Sequence, residues 1–130
     1  NGGVIVPDLH YGRDALIGTA LFLSSLVRSD KKVTEVRASL PQYVISKNRI
    51  ELSDRSMIER IMAEVKKQYA SERITDIDGV KIDFDREKMW VHLRKSNTEP
   101  IIRVYSEAAD VTSAERIAAE VMDIAGKLIG

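Results

Sequence analysis

From about residue 74 onward, apolar and polar positions alternate at period two, which predicts a succession of strands. Ile74-Thr75-Asp76-Ile77, Val80-Lys81-Ile82-Asp83-Phe84, Met89-Trp90-Val91-His92-Leu93 and Ile101 to Glu107 all carry the alternation. Asp78-Gly79 between the first two is a two-residue hairpin signal, and Asp85-Arg86-Glu87-Lys88 marks a second turn. Upstream, Val44 to Leu52 places Val44, Ile45, Ile50 and Leu52 around a polar Ser-Lys-Asn-Arg stretch and reads as another strand, open to interruption by a turn.

Helical spacing replaces alternation in three places. Met57, Ile58, Ile61, Met62, Val65 and Tyr69 form one apolar face of a helix expected over about 54–70, with Ser53 as N-cap. The two methionines on that stripe read as core filler. Thr112 with Glu115 makes a capping box ahead of a last helix, about 113–129, whose apolar positions run from Ala114 to Leu128. Near the start, Asp14 is the expected N-cap of a helix reaching about Val27, apolar around most of its circumference. Val4-Ile5-Val6, closed by Pro7, reads as a short strand before it.

The expected fold is therefore α+β. A four-stranded antiparallel sheet with helices on one face occupies residues 38–130, preceded over residues 1–37 by a strand and helix that read as the remnant of an α/β domain. An apolar helix with one short strand to bury against implies neighbouring chain, and the start at Asn1-Gly2-Gly3 without a methionine predicts a piece of something longer. Arg28 to Arg37 is a charged connection and the expected hinge.

Composition narrows function more than fold. Twenty basic residues against twenty acidic ones give a net charge of zero, so any attraction to anions is local. That neutrality, with no exposed aromatic interleaving, disfavours a nucleic-acid partner. No apolar run is long enough for a bilayer span, and the absence of cysteine fits a cytoplasmic location. His10 and His92 have no carboxylate or cysteine at metal-ligand spacing, and Asp76, Asp78, Asp83 and Asp85 follow turn chemistry instead of a calcium loop. Trp90 reads as core or as a domain contact.

One stretch concentrates binding groups: Arg94-Lys95-Ser96-Asn97-Thr98-Glu99-Pro100, closed by Arg103, between two expected strands. Guanidinium forks match phosphate oxygens, and hydroxyls and loop N–H groups complete a cradle. No nucleophile, base or metal cluster accompanies it, so the pattern is a phosphate-positioning loop without its own catalytic machinery. A solvated hairpin with incidental charges, and a module that binds a phosphopeptide through the same loop, are the alternatives from the residues alone.

Residues 94–108, Arg-Lys-Ser-Asn-Thr-Glu-Pro-Ile-Ile-Arg-Val-Tyr-Ser-Glu-Ala, resemble the signature loop of the C-terminal domain of the α-D-phosphohexomutases, approximately R-x-S-[GN]-T-E-P-x-x-R-V. Asn1-Gly2-Gly3, Val4-Ile5-Val6-Pro7, Gly12-Arg13-Asp14-Ala15 and Ser39-Leu40-Pro41 are similar to the close of that family's third domain and its link to the fourth. The resemblance implies a TATA-binding-protein-like C-terminal domain with Arg94, Ser96, Asn97, Thr98 and Arg103 holding the phosphate of a phosphosugar. It implies Asn1 in the sugar loop, whereas Gly3 stands where many members have histidine. Magnesium, its aspartates and the phosphoserine are implied upstream, with domains 1–3 as partners in the same polypeptide and no cofactor bound by these residues. The implied reaction interconverts hexose 6-phosphate and hexose 1-phosphate through a bisphosphorylated intermediate. Phosphomannomutase or phosphoglucomutase is favoured over phosphoglucosamine mutase, because Asn1-Gly2-Gly3 departs from the serine-glycine-histidine form.

Overall fold

The computed structural model describes residues 3–130, which form two compact units, one reaching Pro41 and the other spanning Gln42–Gly130. In the first unit, α1 (Ala15–Ser29) begins where expected. Asp14 is its N-cap, and its carboxylate accepts from the backbone N–H groups of Leu16 (2.8 Å) and Ile17 (3.0 Å). None of α1's residues is buried. The charged connection carries a second helix, α2 (Val33–Ser39). Val4–Val6 does not form a strand: a single antiparallel bridge joins Val6 to His10. The Val6 carbonyl accepts from both Leu9 and His10 in a tight turn, which uses the hydrogen-bonding group that a ladder would need.

The second unit is a five-stranded antiparallel sheet in the order β1-β5-β4-β3-β2, one strand more than expected. The strands are β1 (Val44–Glu51), β2 (Arg73–Thr75), β3 (Val80–Phe84), β4 (Met89–Lys95) and β5 (Ile101–Ala108). β2, which falls on the alternating run at Ile74, is a three-residue edge strand in which only Ile74 is even half-buried. β1 runs uninterrupted, because all eight of its residues find partners along β5.

Alternation sorts the side chains onto two faces. Val80, Ile82, Met89, Val91, Leu93, Ile102 and Val104 point into one core, which α3 (Met57–Gln68) and α4 (Val111–Ile129) cover with Ile58, Ile61, Val65, Ile117, Ala118 and Val121. Helices thus lie on one face, as the periodicity predicts. The lone buried hydroxyl in that core is satisfied: Ser106 Oγ donates to the Ala114 carbonyl at 2.6 Å. The other sheet face is open and carries the polar positions of each strand, His92 among them, as its parity predicts. Trp90 is on this face too, half-buried and not in the core. Its Nε1 donates to Glu107 (3.0 Å), and the Lys81 ammonium lies 5.3 Å from its ring centroid.

Both helix starts in this unit differ from expectation, and near each an aspartate takes up a backbone N–H. Asp110 caps α4 by accepting from the N–H of Ser113 (2.8 Å), so the helix begins at Val111 and Thr112 does not cap it. Asp54 accepts from the N–H of Ser56 (2.8 Å) in a turn that delays α3 to Met57 and leaves Ser53 outside. These bonds favour the ionised form. The Ser113 N–H holds the Asp110 carboxyl below its ordinary value of 3.8, and the Ser56 hydroxyl does the same for Asp54.

A pH dependence follows. A carboxyl whose pKa is depressed in the folded state stabilises the fold above its unfolded value and stops doing so as pH falls through the folded value. Resistance to urea is therefore expected to stay level from neutral pH to about pH 5 and then fall as the medium is made more acid. A midpoint unchanged down to about pH 2.5 would count against these two carboxylate bonds.

Candidate phosphate-binding site

β4 and β5 pair so that Leu93 faces Val104, Arg94 faces Arg103 and Lys95 faces Ile102. The register puts two guanidinium-bearing residues opposite each other on the open sheet face, with the loop between them at the strand ends. Like charges directly opposed destabilise a sheet unless something neutralises them. Beyond Arg103 the row continues to Arg49, its partner on β1, which Glu51 neutralises at 2.9 Å. Arg94 pairs through Nε with Asp78 at 2.9 Å. Among the described residues Arg103 pairs with no carboxylate.

The loop is held by its own polar groups. The Ser96 N–H donates to the Ile101 carbonyl (3.0 Å), and the Glu99 N–H donates to Ser96 Oγ (3.3 Å), which lies 3.4 Å from Thr98 Oγ1. Pro100 contributes its carbonyl, which accepts from the Leu52 N–H at 2.9 Å and anchors the loop's end beside β1. Between these anchors, the backbone N–H groups of Asn97 and Thr98 have no acceptor among the described residues. Free N–H groups at a loop tip beside two arginines are the elements of an anion cradle.

Arg94, Ser96, Asn97, Thr98 and Arg103 all line one cavity of about 530 Å³. The residues the loop pattern singles out are thus brought together. Asn1 lies outside the described residues. The cavity's opposite wall is one that local sequence reading did not find: Glu59, Met62 and Lys66 from α3, and Asp76 to Val80 from the end of β2 through the hairpin turn into β3. Lys95 pairs with Glu59 at 3.6 Å and Lys66 with Asp76 at 3.4 Å.

The β2–β3 turn is not the two-residue hairpin expected of Asp78-Gly79: Thr75 pairs with Lys81, which centres the turn on Asp78, and only Gly79 has the positive φ that a type I′ turn needs at both central residues. Backbone constraints fix it at this wall. Gly79 has φ +89°, and a Cβ on it would fall 2.1 Å from the Leu93 carbonyl oxygen. His92 Nε2 donates to the Asp78 carbonyl at 2.7 Å. Together these set the Asp78 carboxylate beside Arg94.

Chemically, the cavity offers guanidinium, ammonium, hydroxyl and amide donors for an anion. It offers no metal centre: among the described residues no group of three or more His, Asp or Glu could hold an ion. Among those residues no helix is long and apolar enough to cross a membrane.

Comparison with known proteins agrees with the geometry. The profile of the family described as "Phosphoglucomutase/phosphomannomutase, C-terminal domain" matches residues 48–124, which include the whole loop and both of its strands. Over 99% of its length the chain is 40% identical to the phosphoglucomutase/phosphomannomutase of Thermococcus kodakarensis, and it covers 27% of that protein. It is 35% identical over 95% of its length to the phosphoglucosamine/phosphogalactosamine mutase of Sulfurisphaera tokodaii, again covering 27%. The chain therefore spans little more than a quarter of the curated relatives it matches. Among solved structures, the N-acetylphosphoglucosamine mutase of Aspergillus fumigatus, in complex with GlcNAc-6P and magnesium, shares the fold. The TM-score is 0.61 at 19% identity, over 93% of this chain and 22% of the other.

Proposed function

This chain belongs to the phosphoglucomutase/phosphomannomutase C-terminal domain family, and from that premise we propose that its cavity holds the phosphate of a hexose phosphate for a phosphohexomutase that interconverts the 6- and 1-phosphates. The observation that carries the reading is the convergence of Arg94, Ser96, Asn97, Thr98 and Arg103 on one cavity, with Arg103 unpaired among the described residues and two loop N–H groups free. The Aspergillus relative's complex with a phosphosugar supports the same ligand class.

The residues of this chain bind and orient. Arg94 and Arg103 approach a phosphate dianion from adjacent strands. Ser96 and Thr98 donate hydroxyl bonds, and the Asn97 and Thr98 amides close the cradle. These contacts are charge-assisted and local to the phosphate, so they accept a phosphate on either end of a sugar ring. Phosphoryl transfer depends heavily on positioning and electrostatic stabilisation, so a site that only holds substrate can govern rate. The magnesium named in the relative's complex does not fit the residues described here. The metal, the phosphoserine and domains 1–3 belong in this reading to polypeptide outside this chain, and no step is assigned to them.

Phosphoglucomutase or phosphomannomutase activity is the preferred assignment, in keeping with Asn1-Gly2-Gly3 and with the name of the Thermococcus relative. Phosphoglucosamine mutase is the second reading, favoured by the name of the Sulfurisphaera relative.

Calorimetric titration with glucose 6-phosphate, glucose and a phosphopeptide tests the proposal. Binding of the sugar phosphate but not of glucose is the expected result. Binding of the phosphopeptide in preference to the sugar phosphate would replace this reading with that of a phosphopeptide module.

A further inference from the structure

Of the four cations that line the cavity, Arg94, Lys95 and Lys66 each have a carboxylate facing them, Asp78, Glu59 and Asp76, while Arg103 has none among the described residues. A phosphate site needs its cations, and here three of the four are held by the protein's own acids. Two of those acids, Asp76 and Asp78, sit at the one turn that is locked against β4. The lock is tight: Gly79 lies so close to the Leu93 carbonyl that no Cβ fits, and His92 holds the Asp78 carbonyl. The pair it positions is loose by comparison, with the Arg94 side chain 54% and the Asp78 side chain 61% exposed. Ion pairs this exposed are weak and easily exchanged. A rigid turn that holds a weakly paired carboxylate against the principal guanidinium of the site is an arrangement for exchange.

We propose that Asp78 is a resident counter-ion of the phosphate site. Its carboxylate neutralises Arg94 in the chain alone and gives way to a phosphate dianion, while Asp76 and Glu59 act in the same manner on Lys66 and Lys95. The inference rests on the reading of this cavity as a phosphate site and adds a determinant of how tightly that site holds. The Arg94–Asp78 pair runs through Nε, so the terminal nitrogens of the guanidinium remain available to an arriving phosphate. The phosphate can dock on them first, and the carboxylate then withdraws to solvent without leaving a buried charge. Phosphate affinity is lowered by the cost of that displacement. For a site that must release one phosphorylated end of a sugar and accept the other, a built-in competitor speeds exchange at the expense of grip.

The decisive variant is Asp78→Asn. The register pairs Thr75 with Lys81 and so centres the turn on Asp78, where φ is negative, and Asn is as acceptable there as Asp, so the β2–β3 connection and the carbonyl held by His92 are retained. Titrated on the full chain, inorganic phosphate and glucose 6-phosphate are both expected to bind about two- to fivefold more tightly to Asp78→Asn than to the wild type. Asp76→Asn, which frees Lys66 and lies directly after β2, is expected to shift affinity in the same direction by a smaller factor. Structural damage would weaken binding, so a gain in affinity separates the proposal from a purely structural role for Asp78. Unchanged affinity in both variants overturns it. So does weaker binding of glucose 6-phosphate with inorganic phosphate unaltered, which would make Asp78 an acceptor for a sugar hydroxyl. Failure of the wild type to bind either ligand would instead overturn the phosphate reading, and this proposal with it.

Discussion

Replacing Gly79 with alanine is expected to destabilise the Gln42–Gly130 unit by about 2–5 kcal/mol, the sum of a strained backbone conformation and a forced overlap. At φ +89° an alanine is strained wherever it sits, and here its Cβ would also fall 2.1 Å from the Leu93 carbonyl oxygen and 3.1 Å from the Arg94 Cα. Both obstacles are backbone. Leu93 itself is fully buried and paired with Val80, so β4 cannot retreat, and the turn must move instead. That movement would pull the Asp78 carbonyl away from His92 and its carboxylate away from Arg94. Gly126→Ala is the control: an added Cβ there meets nothing within 4 Å, in the last turns of a long helix. It should raise stability by about 0.5–1 kcal/mol. Urea unfolding of the two variants measures the contrast, and equal stabilities would mean that the turn is not locked as described.

Arg94→Ala carries the second large effect. In the complete enzyme it is expected to reduce kcat/KM for the hexose phosphate by roughly 10- to 150-fold, the equivalent of losing ~1.5–3 kcal/mol in hydrogen bonds to a charged group. Arg94→Lys should recover only part of the loss, since an ammonium keeps the charge but not the planar fork. Undiminished kcat/KM in Arg94→Ala would remove the loop from substrate binding. The same substitution frees Asp78, an exposed residue that water can solvate, so fold stability should change little beside the kinetic effect.

The two substitutions probe opposite walls of one cavity, and the walls differ in how visible they are from sequence. Arg94, Ser96, Asn97, Thr98 and Arg103 are close neighbours along the chain, and alternation on both sides declares them a strand-loop-strand unit. Glu59, Lys66 and Asp78 are farther away in sequence, and nothing in their own surroundings marks them as partners of the loop. Part of that wall was still accessible to counting. Once Asp85–Lys88 is taken as the turn that pairs Phe84 with Met89, stepping back along both strands brings Val80 to Leu93 and the Asp78-Gly79 turn to Arg94. The α3 contribution had no such route, because helix placement on a sheet is decided by packing and not by register.

Local chemistry misled where two acceptors competed over a few residues. Asp110 and not Thr112 caps α4, and Asp54 holds the Ser56 N–H in a turn before α3, and only the backbone path reveals which oxygen reaches which N–H group. The same holds for Val4–Val6, where three β-prone residues form one bridge and no strand, since a strand exists only by virtue of a neighbour.

What the sequence by itself determined is therefore what depends on period and proximity: the three helices α1, α3 and α4 (α2, in the charged connection, carries no such period), the facing of each strand, and a phosphate-matching loop whose donors lie within ten residues. Those features follow from Cβ geometry along a single element, which needs no knowledge of the rest of the molecule. Only the tertiary structure decided that all five strands join one sheet, that Trp90 stands on the open face, and that three carboxylates meet cations of the cavity. Each of these joins residues across the fold, and their proximity is set by the shared core that α3 and α4 make with the sheet.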